Sequence, residues 1–130
     1  MTIRGITLDT GALVAIERRK QRGAHLLQLA KRRLAVLSVP VPVVTEWWRG
    51  RTDVRDRILD VVNIEALSLA VAKSAGEALA SVPRSTPVDA IVMAFAASRG
   101  DVVFTGDPDD FERLRAFFPT VRVLGCGGEL

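Results

Sequence analysis

The chain is short of several residues and patterns on which common functions depend. It carries one cysteine, Cys126, which rules out an internal disulfide and fits a reducing compartment such as the cytoplasm. That cysteine sits among Gly125, Gly127 and Gly128 and reads as an incidental thiol. Histidine is represented by His25 alone. In the setting Ala24-His25-Leu26-Leu27 it reads as a structural residue rather than a general base. No apolar run approaches the roughly 18 residues that a membrane span requires, so no membrane association is expected. The first residues, Met1-Thr2-Ile3-Arg4-Gly5, lack the charge, apolar stretch and cleavage site of a secretory leader. No Gly-x-x-x-x-Gly-Lys-Ser/Thr or Gly-x-Gly-x-x-Gly run occurs, so nucleotide-binding folds have no support. Repeats, low-complexity tracts and interdomain linkers are also missing.

What is present suits one compact domain over residues 1–130, since 48% hydrophobic content can fill a sizeable core. The net charge of +3 is unevenly spread. Between Arg18 and Arg57 stand eleven Lys/Arg against three acids, a local balance of +8; the remainder holds seven against twelve, or −5. A basic lobe beside an acidic one suits a polyanion steered toward a metal site, although basic residues also simply solvate helix faces.

Short β-branched runs alternate with helical patterns along the chain. Strands are expected at Ile3 to Leu8, Leu34 to Val39, Asn63 to Leu67, Asp101 to Thr105 and Val121 to Leu124. Helices are expected after Asp9, over His25 to Leu34, from Pro42 through Trp47, over Thr52 to Val62, over Ala70 to Val82 and over Val88 to Arg99, with a short helix after Gly106. Gly100 is placed to stop the strongly apolar helix before it. This alternation predicts an α/β fold with a mostly parallel sheet and helices on both faces.

In such sheets ligands gather outside the carboxyl ends of the strands. Asp9 follows the first strand there, and Asp107 follows Val102-Val103-Phe104-Thr105. Asp89 opens the apolar helix, and Glu46 lies in the helix after the second strand. Taken singly, Asp9, Asp89 and Asp107 are equally well read as helix N-caps, and Glu46 as a solvated side chain. Taken together the plain reading weakens, because Glu46 precedes Trp47-Trp48, Asp89 precedes Ala90-Ile91-Val92, and Asp9 follows Ile6-Thr7-Leu8. Two carboxylates about 5 Å apart repel by roughly 3 kcal/mol at an effective dielectric of 20, so four could not stay ionised together without a cation. Hard oxygen donors select Mg²⁺ or Mn²⁺ over zinc, and an ion so held can activate water and stabilise the charge of phosphodiester cleavage.

The same residues carry a family resemblance. Leu8-Asp9-Thr10-Gly11-Ala12-Leu13, Val43-Val44-Thr45-Glu46-Trp47-Trp48-Arg49, Pro87-Val88-Asp89-Ala90-Ile91-Val92-Met93-Ala94 and Phe104-Thr105-Gly106-Asp107-Pro108-Asp109-Asp110-Phe111 resemble, in order and spacing, the four motifs of PIN domains. The length and the basic region resemble the VapC-type toxins of VapBC toxin–antitoxin pairs. The resemblance implies a PIN-like three-layer α/β/α domain and Mg²⁺-dependent cleavage of RNA, with Mn²⁺ as a substitute. It also implies a cognate antitoxin seated beside the active site, and a homodimer or toxin–antitoxin hetero-oligomer. It implies that Asp9 and Asp89 are the principal metal ligands, that Glu46 and Asp107 complete the pocket, and that Thr10 and Thr105 orient carboxylates or waters. The chain departs from the pattern at Gly11, where Ser or Asn is common.

Other classes fare worse. A haloacid-dehalogenase-type phosphatase needs a second Asp where Gly11 stands. A response-regulator receiver needs an acidic pair near the first strand and a late lysine, but none follows Lys73. A PIN-like RNA-binding or interaction module without catalysis, and a PIN nuclease outside toxin–antitoxin systems, remain as alternatives. Trp47 and Trp48 cannot share one helix face, so one is expected in the core and the other partly exposed, facing a dimer contact, an antitoxin or an RNA base. Arg18, Arg19, Lys20, Arg22, Arg49 and Arg51 are candidate phosphate contacts.

Overall fold

The computed structural model describes residues 4–125, and of Arg4 only the backbone. The readings placed on Ile3 and Cys126 lie outside that range. Five strands, β1 (Arg4–Leu8), β2 (Ala35–Pro40), β3 (Asn63–Glu65), β4 (Val102–Thr105) and β5 (Val123–Gly125), form one sheet in the order β3-β2-β1-β4-β5. Every pairing is parallel. The helices are α1 (Thr10–Glu17), α2 (Gln21–Lys31), α3 (Val41–Trp47), α4 (Asp53–Val61), α5 (Leu69–Ser81), α6 (Pro87–Arg99) and α7 (Pro108–Leu114).

The sheet is covered on both sides, as an all-parallel sheet must be. Leu26 and Leu29 of α2 stand over Ile6, Val102 and Phe104, while α6 lies on the face that carries Thr7 and Ser38. α5 packs against α6, and helices on both faces of the sheet make three layers. Central α6 is apolar nearly all round, burying Ala90, Val92, Met93, Ala94, Phe95 and Ala96. The fully buried Phe111 anchors α7; truncation there to Ala would cost about 3–5 kcal/mol.

Local chemistry sets the helix ends. Thr52, Ser68 and Thr86 each accept the backbone N–H three residues ahead and so start α4, α5 and α6. Gly100 ends α6 in the left-handed conformation at φ 72°, a position where a Cβ would be strained. The sequence places α2 four residues late. Its first turn, Gln21-Arg22-Gly23-Ala24, holds no large apolar residue, and a Cβ on Gly23 would stand 2.8 Å from the Ile16 backbone. The turn is therefore helical because α1 and α2 approach closely there, which periodicity does not report.

Chain direction places four segments at one edge. The loops leaving β1 and β4 emerge there, α3 begins there after β2, and α6 starts there because it runs against the strands. β1 is flanked by β2 and β4, so the strand order reverses beside it and opens a crevice between the β1 and β4 ends.

Candidate functional site

Asp9 lies at that crevice, directly after β1, and is 7% exposed. One carboxylate oxygen accepts the Ala12 N–H at 2.8 Å, capping α1. The other accepts the Thr105 hydroxyl at 2.6 Å from the end of β4. The N-cap reading of Asp9 therefore holds, and the same side chain also lies in the crevice between the β1 and β4 ends. Burial pushes its carboxyl above the usual range; the Thr105 hydroxyl and the Ala12 and Gly106 N–H groups oppose that, and the nearby Glu46 charge adds to it.

Asp89 stands in the first turn of α6, where Thr86, and not Asp89, is the cap; the Thr86 hydroxyl accepts the Asp89 N–H at 3.3 Å. Its carboxyl is pushed up to about 6, first by burial and then by the charges of Asp9, Asp110 and Glu46, against the opposing effect of Thr86. Glu46 is exposed on α3 and accepts the Thr10 hydroxyl at 2.7 Å.

Asp107 is exposed at the N-cap position of α7, and its side chain makes no cap bond. Its N–H donates to the Thr105 hydroxyl oxygen at 2.9 Å, so one threonine links the Asp9 carboxylate to the Asp107 backbone. The neighbouring Asp110 carboxylate, through a hydrogen bond first of all, pushes the Asp107 carboxyl above its usual range. Asp110 is held down, chiefly by Arg113 at 2.7 Å and then by Asp107. That Asp110 faces this edge is not legible in the sequence: at capping-box spacing it reads as a structural residue, and its charge reaching Asp89 depends on the turn of α7 against α6.

The two glycines of the site have a common cause. A Cβ on Gly11 would stand 2.8 Å from the Gly106 backbone, and one on Gly106 would stand 3.0 Å from Gly11 Cα. The loops after β1 and β4 thus touch backbone to backbone, which brings Thr105 to Asp9. This accounts for Gly11, where a Ser or Asn side chain would not fit. Gly106 is required by that approach and not by a left-handed φ, since among the described residues only Gly50 and Gly100 are glycines at positive φ.

Trp47 is the core tryptophan, with its indole N–H donating to Glu17 at 3.0 Å; Trp48 is half-buried and meets it edge-on at 6.0 Å. His25 is exposed on α2, lining an apolar groove with Leu26 and Phe104 rather than the acidic edge.

The donors that face one another across the crevice are carboxylates and hydroxyls, a set suited to a hard divalent cation. Among the described residues, no three acidic, histidine or cysteine side chains stand close enough together to enclose one ion. Asp9, Asp89 and Glu46 form no ion pair with any described lysine or arginine. Their mutual repulsion spreads them. The set fits a largely hydrated Mg²⁺, which keeps several waters and takes one or two carboxylates, better than an all-protein cage.

Comparison with known proteins agrees with this layout. The sequence profile of the PIN domain matches residues 6–116. The chain belongs to the PIN domain family. No curated protein sequence matches it closely enough to count as a relative. Among solved structures, the PIN fold here is similar to VapBC2 from Rickettsia felis bound to a DNA fragment from their promoter, with a TM-score of 0.71, 16% identity, and 93% of this chain and 98% of that one covered. It is similar to DNA-bound VapBC from Salmonella typhimurium, with a TM-score of 0.67, 20% identity, and coverage of 95% and 98%. It is similar to Mycobacterium tuberculosis VapC20, described as a sarcin–ricin-loop-cleaving toxin, with a TM-score of 0.62, 20% identity, and coverage of 81% and 92%. At such identities the likeness speaks for the fold, and the PIN profile speaks for the family. No helix among the described residues is long and apolar enough to cross a membrane.

Proposed function

We propose that this PIN domain is a Mg²⁺-dependent endoribonuclease, acting in the cytoplasm as the toxic member of a type II toxin–antitoxin pair and neutralised by a cognate antitoxin. The observation that carries the nuclease reading is the set of acids without cations at the β1/β4 crevice. Asp9, buried beside Asp89 and Glu46 with only hydroxyl and amide partners, calls for a cation from outside the chain. In this reading Asp9 and Asp89 hold the metal, Glu46 and Asp107 complete its pocket, and Thr105 fixes the Asp9 rotamer through its hydroxyl. Mg²⁺, or Mn²⁺ in its place, would neutralise these carboxylates, lower the pKa of a bound water and stabilise charge on the phosphodiester. Thr10 holds the Glu46 carboxylate at the rim, where it can accept a proton from water.

The VapBC and VapC20 likenesses support the toxin role and an antitoxin partner, with the chain itself dimeric or joined to its antitoxin. The alternative reading is a PIN module that binds RNA without cutting it. One experiment decides between them. The purified chain should cut structured RNA with Mg²⁺ or Mn²⁺, stop in EDTA, and lose cutting as Asp89→Asn. RNA binding with no cleavage in either metal would establish the second reading. Expression alone should arrest growth, and co-expression with the product of a small adjacent gene should relieve it.

A further inference from the structure

We propose that Arg18 and Arg49 form a phosphate-binding subsite on the α1–α3 flank of the acidic edge, gripping the RNA backbone beside the bond that is cut. The proposal rests on the nuclease reading above and adds where the substrate is held.

An edge of uncompensated carboxylates repels a polyanion, so a nucleic acid can approach only if cations stand next to the acids and are not consumed by them. Most arginines near this edge are consumed. Arg113 pairs with Asp110 at 2.7 Å and Arg51 with Asp56 at 2.7 Å. The exception lies in a cavity of about 290 Å³ that borders Glu46 and is lined by Val14, Glu17, Arg18, Trp47, Arg49 and Arg55. Its one other acid, Glu17, is fully engaged, by Arg55 at 3.1 Å and by the Trp47 indole at 3.0 Å. Arg55 in turn donates to the Gly50 carbonyl at 3.0 Å and is mostly buried.

Arg18 and Arg49 remain. Arg18 is exposed at the end of α1, and its side chain makes no hydrogen bond or ion pair with any described residue. Arg49 is steadied by one terminal nitrogen, which donates to the carbonyls of Trp48 at 2.9 Å and Thr45 at 3.4 Å. Its other guanidinium nitrogens have no partner among the described residues. Neither arginine pairs with Glu46, whose carboxylate takes the Thr10 hydroxyl instead. Two guanidinium groups thus line one cavity, both spared by the neighbouring carboxylates, and each can donate a pair of hydrogen bonds to phosphate oxygens. The opposite flank places Arg84 and Arg113 on one pocket, but Arg113 is bound to Asp110 there, which leaves a single unpaired guanidinium against two on the α1–α3 side.

The test uses a short single-stranded oligoribonucleotide and the Arg18→Ala/Arg49→Ala double variant. Binding is measured in the non-cutting Asp89→Asn background across a salt series, and cleavage in the otherwise unaltered chain. Loss of two phosphate contacts should flatten the slope of log K against log salt by about 1.4, roughly 0.7 per contact on a single strand. KM should rise about tenfold or more, with a much smaller change in kcat. Arg18→Lys/Arg49→Lys should recover most of the slope. Lys31→Ala/Arg32→Ala removes the same charge from the end of α2, at the opposite edge of the sheet, and should leave slope and KM where they were. A double variant with unaltered slope and KM would overturn the subsite, as would an equal loss in the Lys31/Arg32 control. So would a lowered melting temperature with KM unmoved, which is what a purely helix-terminal role of Arg18 produces. If the unaltered chain neither cut nor bound RNA, the nuclease reading would fall and the subsite with it.

Discussion

Two buried aspartates bracket the β1–β4 seam, and the fold treats them oppositely. Asp9 follows β1 and accepts a hydroxyl from β4, through Thr105 at 2.6 Å; Asp101 precedes β4 and accepts a hydroxyl from β1, through Thr7 at 2.9 Å. They are nearly equally buried, at 7% and 8% exposed. The difference is a cation. Asp101 has Arg99, whose Nε donates at 3.2 Å and whose other nitrogens reach Ser38 at 3.3 Å and Glu65 at 3.5 Å, with the guanidinium over the Phe95 ring at 5.1 Å. Asp9 has amides and hydroxyls only. A buried carboxylate with its counter-ion built in closes a structure. One left without a counter-ion lowers stability, and that arrangement is characteristic of a site that binds something.

The largest effect should come at the open end of the seam. Asp9→Asn and Asp89→Asn should each lower RNA cleavage by more than about 100-fold, beyond the loss usual for residues that merely support a metal ligand. Thermal melts without metal should show these variants as stable as the parent or more so, because each removes a charge that nothing compensates. A variant that lost activity only in step with its melting temperature would make Asp9 the equal of Asp101.

The closed end should behave in reverse. Asp101→Asn leaves Arg99 without its buried partner. Breaking such a pair costs about 3–5 kcal/mol when both ions are deeply buried, and Arg99 is 34% exposed, so a loss of about 1–3 kcal/mol is expected in urea melts. Gly5→Ala attacks the same contact, since a Cβ would stand 2.2 Å from an Asp101 oxygen. It should destabilise the fold at least as much. Cleavage per folded molecule should persist in both variants.

The pH dependence sharpens the contrast further. The folded Asp89 pKa is raised to about 6 from an ordinary 3.8, so between those values the folded chain holds more protons than the unfolded one. The stability that Asp89 contributes without metal should therefore be fully present below about pH 4 and be lost as the pH rises through 6. Saturating Mg²⁺ should blunt the fall by binding the ionised form, and Asp89→Asn should flatten it. Denaturant midpoints across this range, with and without Mg²⁺, measure it; a rise in stability over the same interval in the metal-free chain would refute the assigned burial of Asp89.

Sequence periodicity made most of this legible, for a physical reason. Each strand is short, β-branched and ended by a turn residue, so the alternation survives in the letters, and the acids mark the strand ends. The parts that stayed hidden depend on contacts between distant segments. Gly11 looks like a missing polar contact until the loops after β1 and β4 are seen to touch at Gly106. Asp101 looks like the first residue of a strand until Arg99 and Thr7 close on it. The pairing of Glu17 with both Trp47 and Arg55 joins three helices that no local pattern connects.

The smallest effects lie within Asp107, Asp109 and Asp110, where the comparison repeats on the surface. Asp110 has its own cation, Arg113; Asp107 has none, and its carboxyl is raised by the neighbouring Asp110; Asp109 is exposed, with no hydrogen bond or ion pair to a described residue. Asp107 and Asp109 both lack a counter-ion, but only Asp107 is tied to the buried acid, its N–H donating to the Thr105 hydroxyl that holds Asp9. Asp107→Asn should therefore weaken Mn²⁺ binding and cleavage, though less than Asp9→Asn, because an exposed carboxylate is replaced by water more readily than a buried one. Asp110→Asn should lower the melting temperature slightly, since exposed pairs such as Asp110–Arg113 contribute little. It should also free Arg113 beside the site, so its cleavage should change through RNA affinity rather than through Mn²⁺ affinity. Asp109→Asn should be silent in both. Calorimetric Mn²⁺ titrations and thermal melts of the three variants read this series. Loss of Mn²⁺ binding in Asp109→Asn with Asp107→Asn unaffected would shift the fourth motif by two residues and make the Thr105 link to Asp107 a purely structural one.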